Sequence, residues 1–138
     1  MNDNKRKVVN DSVYNLAQIN PGLRKNPDND ALQQAHDDYN NMLLEGLGLG
    51  PEDLVDITKP ALDYRVKDAK KYLDILYEDC RKYKRGDIEN GRFASDEILK
   101  EYIHNPHFSS EIGLTIGSLS IELNALGKIE DNKFKKKK

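Results

Sequence analysis

The chain has 138 residues, 37% of them apolar and 33% charged, with 22 Lys/Arg against 24 Asp/Glu for a net charge of −2. Globular chains usually run to about 45–50% apolar and about 25% charged, so this composition fits one domain with a thin core and excludes a second large one. The charges lie in blocks: residues 1–25 sum to +3, 26–63 to −8, 64–86 to +4, 87–132 to −6 and 133–138 to +5. Such alternation suits a chain that meets copies of itself or a charged partner in a fixed register.

Residues 1–10 read as a polar N-terminal arm made basic by Lys5, Arg6 and Lys7. Asp11 is placed to cap a short helix with Val13, Leu16 and Ala17 turned inward, and Asn20-Pro21-Gly22 is expected to end it. The turn residues Asn26-Pro27-Asp28-Asn29 precede a second helix, capped by Asp30. Its apolar positions, Leu32, Ala35, Tyr39, Met42 and Leu43, recur at helical steps. Gly46, Gly48 and Gly50 interrupt that pattern. Glycine inside a helix costs about 1 kcal/mol relative to alanine, so three in alternation predict a helix stop and hinge with at least one at positive φ. Pro51-Glu52-Asp53-Leu54 then starts a short helical turn, with proline at its first position and acids facing the positive end of the dipole.

The strongest element runs from a Thr58 cap to Arg85, where Gly86 stops it. Leu62, Val66, Ala69, Leu73, Leu76, Cys80 and Tyr83 fall at alternating steps of four and three, a core-facing seam of nearly seven turns. At about 1.5 Å per residue this helix is about 40 Å long and forms the centre of the domain. Residues 87–92 read as loop. Ser95 caps the next helix, which turns Ile98, Leu99, Tyr102 and Ile103 inward and ends at Asn105-Pro106.

Residues 109–127 have two readings. As a helix, Ile112, Ile116, Leu119, Leu123 and Leu126 form a seam that leaves out Leu114 and Ile121. As a hairpin, Gly117-Ser118 is a two-residue turn, and Ile112, Leu114 and Ile116 face the same way as Leu119, Ile121 and Leu123. Gly113, Gly117, Thr115 and three isoleucines disfavour helix, whereas the segment from Glu122 to Lys128 is a good helix ending. The fold class is therefore mostly α: an irregular helical bundle over residues 11–127, built around one long central helix (about 58–85), with a C-terminal β-hairpin as the open alternative. Residues 128–138 form a basic C-terminal tail.

No apolar run approaches the roughly 18 residues of a membrane span. The charged start lacks the apolar segment of a secretory signal. Cys80 is the only cysteine, which excludes an internal disulfide and points to a reducing compartment. The chain is expected to be cytoplasmic, or part of a virion if viral.

Candidate chemistry reduces to ordinary structural roles. His104 and His107 are two potential metal ligands without the third and fourth that zinc needs, and they suit helix ends instead. His36, Asp37 and Asp38 diverge by about 100° per residue on a helix and cannot converge on one substrate. Cys80 lies on the core seam and reads as a packed thiol. Leu47-Gly48-Leu49-Gly50-Pro51 lacks the Lys-Ser/Thr and the preceding strand of a phosphate loop. No catalytic residue, metal or cofactor is expected.

The basic segments are the remaining candidates. Arg81, Lys82, Lys84 and Arg85 close the long helix, where cations are favoured by the dipole and can also meet an acidic or phosphate partner. Phe134 sits among Lys133, Lys135, Lys136, Lys137 and Lys138 as an apolar anchor in a tail suited to an acidic surface, such as the 28–56 block of a neighbouring copy. In overall plan, a long seam helix from Thr58 to Arg85 with short helices around it, followed by Ser110-Glu111-Ile112-Gly113 and Ser118-Leu119-Ser120-Ile121, the chain resembles the small, mostly helical connector or neck proteins of tailed phages. That resemblance implies a non-catalytic ring subunit with protein partners on both faces, and it carries over no functional residue. The functional expectation is a non-enzymatic assembly protein that contacts other proteins, including copies of itself. A small nucleic-acid-binding accessory protein and an inhibitor or immunity-type binder of one host protein are the alternatives. No membrane partner is expected.

Overall fold

The computed structural model describes the backbone of residues 1–136 and the side chains of residues 1–128. Among these, all regular structure is helical. The chain forms α1 (Asp3–Lys25), α2 (Asp30–Gly46), a 3₁₀ turn (Pro51–Leu54), α3 (Lys59–Arg85), α4 (Asp96–His104) and α5 (Pro106–Lys136). The mostly α bundle expected from the sequence is the observed class. α2 packs on α1, α1 on α5 and α5 on α3, while α4 bridges α3 and α5.

α3 follows its sequence pattern closely. The Thr58 hydroxyl accepts from the Ala61 N–H, and Gly86 at φ 80° closes the far end through bonds to Lys82 and Tyr83 carbonyls. Leu62, Ala69, Leu73, Leu76 and Cys80 are buried, and Val66 and Tyr83 pack against them half-buried. α4 starts where expected, its Ser95 hydroxyl accepting from the Ile98 N–H. The glycine break is also present. α2 ends at Gly46, and Gly48 adopts φ 79°, a conformation that only a residue without Cβ takes at no steric cost. The cap of α2 lies one residue earlier than the sequence suggested: the Asn29 side chain accepts from the Leu32 N–H. Met42, expected inward, is 43% exposed, and Leu43, Leu47 and Leu49 fill the core at this end instead.

Two local readings are corrected. Residues 1–10 are not an arm. α1 begins at Asp3, capped by Asn2, and Val9 and Asn10 are buried. The Arg6 guanidinium explains why: it donates to the Phe93 carbonyl at 2.8 Å and the Ala94 carbonyl at 3.3 Å, so this cation is spent inside the fold. Nor does α1 stop at Pro21. It continues to Lys25, because its last turns are tied to α5 by Asn20 Nδ2 donating to Thr115 Oγ1 and by Arg24 donating to the Glu111 carboxylate. These contacts outweigh the one intrahelical bond that proline forfeits.

The C-terminal β-hairpin is not found; residues 106–136 are one helix. Asn105 Oδ1 starts it, accepting from the His107 and Phe108 N–H groups at 3.1 and 3.2 Å. Phe108, Ile112, Ile116, Leu119 and Leu123 are buried, whereas Leu114 and Ile121 are 61% and 71% exposed, the two residues a helical seam omits. Gly113, which argued for a strand, has a packing role. A Cβ there would stand 3.1 Å from the Tyr77 hydroxyl, so glycine lets α5 approach α3. Burial of one continuous apolar stripe overrides the β-leaning local composition. α5 also runs on into the segment read as a tail. The side chains of Phe134, Lys135 and Lys136, and residues Lys137 and Lys138, lie outside the described residues.

Candidate interaction surface

The loop between α3 and α4 is fixed by a buried polar knot that sets one edge of the α3 surface. Asp79 is fully buried, and its Oδ2 accepts from the Phe93 N–H at 2.8 Å and the Ala94 N–H at 3.0 Å. Asn10, also buried, donates to the Phe93 carbonyl at 3.0 Å and accepts from the Ser95 N–H at 2.8 Å. A buried carboxylate is tolerated only where donors replace its lost water, and here two backbone amides do so. The Arg92 guanidinium completes the set, 3.5 Å from Asp79 Oδ1 and itself largely exposed. Asp79 thus holds Arg92 beside the outer face of α3.

That outer face is basic. Lys67, Lys70, Lys71 and Arg92 surround a shallow groove of about 650 Å³ whose floor includes Val66 and Ile75. Lys67 and Lys71 are exposed and make no ion pair among the described residues. Lys70 Nζ donates to Asn124 Oδ1 at 2.8 Å, which links the groove to α5. Two acids share the lining: Asp63, which pairs with Lys59 at 2.6 Å, and Asp74. Tyr64 stands next to the groove, 70% exposed.

The acidic surface belongs to α2 and the turn after it. Asp28, Asp30, Asp37, Asp38, Glu45, Glu52, Asp53 and Asp56 all have exposed side chains. This surface extends to the end of the 3₁₀ turn. Leu54 and Ile57 pack against the core, but Val55 between them is 69% exposed. Asp56 has φ 59°, the one non-glycine residue at positive φ among the described residues. Arg65 of α3 braces the turn from below, donating to the Asp53 carbonyl at 2.9 Å and the Gly48 carbonyl at 3.3 Å.

The cations singled out from the sequence have mostly local partners. Arg81 lies 3.7 Å from Glu78 and over the Tyr77 ring at 5.9 Å. Lys84 stands over the Tyr102 ring at 5.8 Å, and Arg85 Nε is 3.0 Å from Asp87 Oδ2. Lys82 is half-buried. Phe134 and Lys135 to Lys138 cannot be placed relative to them, being outside the described side chains. The Lys67–Lys71 face was missed as a unit. Its positions are at helical spacing in the sequence, but Arg92 joins it only through the Asp79 knot.

The other candidates take structural places. Burial, reinforced by the neighbouring Asp79 carboxylate, pushes the Cys80 thiol up to about 12, which leaves it protonated and inert near neutral pH. His104 ends α4 and His107 lies in the first turn of α5, both exposed. His36 Nδ1 is 3.4 Å from Asp37 Oδ1 on the solvent side of α2. No helix among the described residues is long and apolar enough to cross a membrane. No protein-family model, curated protein or solved structure matches the chain.

Proposed function

We propose that the chain is a non-enzymatic assembly subunit that contacts copies of itself, of the connector or neck type of tailed-phage virions. The observation that carries this reading is the separation of opposite charges onto two surfaces of one small domain. The acids of α2 and the 3₁₀ turn face solvent along one stretch of the chain, and Lys67 and Lys71 of α3 face solvent in a groove whose four cations outnumber its two acids. α2 takes its main packing from α1 and α3 from α5, and Arg65, which braces the 3₁₀ turn, leaves α3 about 160° around the helix from Lys67, so the two surfaces face different ways. Complementary potentials of this kind steer encounter and fix register between copies.

The test is the mass of the purified native protein at low and high salt. The expected result is an oligomer at low ionic strength that dissociates as salt screens the contact. A monomer under all conditions, at concentrations up to millimolar, refutes the reading.

A further inference from the structure

We infer that the tip of the 3₁₀ turn of one copy docks into the basic groove on α3 of the next copy; this rests on the assembly reading and specifies its contact. The two surfaces match in charge and in polarity pattern. The tip presents one exposed apolar side chain, Val55, 69% exposed, within three residues of the exposed acids Glu52, Asp53 and Asp56. The groove presents an apolar floor, Val66 and Ile75, and a lining in which four cations, Lys67, Lys70, Lys71 and Arg92, outnumber two acids, Asp63 and Asp74. Apolar centre meets apolar floor, and the acids of the tip meet a rim that is basic in sum, the arrangement that a desolvated contact ringed by charge requires.

The tip is also shaped before it binds. Leu54 and Ile57 anchor it on both sides of Val55, Arg65 holds its backbone, and Asp53 Oδ2 accepts from the Gly50 N–H at 3.0 Å. A preformed loop loses little conformational freedom on docking. It cannot reach the groove of its own chain. Arg65, which it touches, projects from α3 about 160° away from Lys67, given 100° per residue. The receptor therefore belongs to a second molecule.

Tip and groove are different surfaces, so the contact is heterologous. Repeated, it builds a ring if the rotation closes and a filament if it does not. This gives a test that no symmetric contact passes. One variant, Lys67→Glu with Lys71→Glu, spoils the groove and keeps the tip. The other, Glu52→Lys with Asp56→Asn, spoils the tip and keeps the groove; asparagine retains the left-handed backbone at position 56. Native mass and sedimentation are measured for each alone and for an equimolar mixture, with circular dichroism and thermal unfolding confirming the fold.

Each variant alone should lose self-association by at least about tenfold in Kd, the loss expected for reversing a complementary rim. The mixture should form a 1:1 pair and stop there, since only one junction between the two remains compatible. If the wild-type assembles and both variants assemble as well as it does, the contact is wrong while the assembly reading stands. Loss in both variants without a 1:1 pair in the mixture also overturns the contact. A wild-type protein that is monomeric at every salt concentration overturns both. Salt-sensitive binding of a single-stranded oligonucleotide, lost with Lys67→Glu and Lys71→Glu in a chain that never self-associates, reassigns the groove to nucleic acid.

Discussion

α3 and α5 lie against each other, yet different chemistry holds each in the bundle. The inner face of α3 is apolar from Leu62 to Cys80, and its one buried charge, Asp79, sits at the flank and serves the following loop. The inner face of α5 is mixed. Glu111 and Thr115 are buried among its isoleucines and leucines, and both reach back to α1, to Arg24 and Asn20. Apolar contacts are non-directional, so α3 is held mainly by shape and volume. Hydrogen-bonded pins are directional, so α5 has its register against α1 specified by named partners. The difference predicts that the two helices respond differently to substitution.

The largest effect belongs to α3. Leu73 is fully buried at the middle of the seam. Leu73→Ala should cost about 2–5 kcal/mol through lost transfer energy and the cavity left behind. Lys71→Ala, two residues earlier on the exposed face, should stay within about 0.5 kcal/mol. On α5, Ile121→Ser should be equally mild, since Ile121 is 71% exposed. Urea unfolding of the three variants checks the contrast. A cost below about 1 kcal/mol for Leu73→Ala would show that the α3 seam is not the core.

Next comes the Asp79 knot. Asp79→Ala strands two buried backbone N–H groups, at Phe93 and Ala94, and should cost about 2–4 kcal/mol, more than the side chain's volume alone explains. Amide hydrogen exchange should show those two N–H groups losing protection while α5 keeps its own. Equal loss of protection in both places would mean that the knot is not local.

The pin on α5 should behave asymmetrically. Arg24 is about half exposed, whereas Glu111 is 2% exposed. The hydrogen bond that the Arg24 guanidinium donates to the Glu111 carboxylate raises the Arg24 pKa further above its already high value. Arg24→Ala leaves a buried carboxylate with its cation gone, while Glu111→Gln leaves an arginine that water can solvate. Arg24→Ala should therefore lower the unfolding midpoint more than Glu111→Gln does. The reverse order would show that the pair contributes through Arg24 packing and not through charge.

The same contrast explains what could be read from the sequence. Every seam residue of α3 was legible, because an unbroken apolar period is a local signal. The Ser95 cap and the break at Gly48 were legible for the same reason. α5 stayed ambiguous because its inner face carries Glu111, Gly113 and Thr115, which blur the period. The reasons for those residues, Arg24, Tyr77 and Asn20, lie far away in the chain. α1 was read as an arm and a short helix on similar grounds. Arg6 looks like one of three surface cations until Phe93 and Ala94 are brought to it. At the candidate surface, the lysines of α3 and the acids before it were visible as charge blocks. The groove was not, because Arg92 takes its place only through Asp79.

The smallest effect distinguishes the two helices by pH. Cys80 closes the buried seam of α3, and burial raises its thiol to about 12 from an ordinary 9.0. In the unfolded chain the thiol ionises near its ordinary value, so the unfolded state binds fewer protons once pH passes about 9. Stability from the neutral, buried thiol is complete below that pH and is lost as pH rises toward about 12. The slope approaches about 1.4 kcal/mol per pH unit where the unfolded thiol is ionised and the folded one is not. Tyrosines and lysines titrate in the same range, so the measurement is the difference between wild-type and Cys80→Ala in urea unfolding at pH 8 and pH 10. The wild-type should lose about 1 kcal/mol more than the variant over that interval. A thiol reagent at pH 8 should likewise react with Cys80 only as fast as the chain unfolds. Fast modification of the folded protein, or parallel stability curves for the two proteins, would place Cys80 at the surface and break the continuity of the α3 seam.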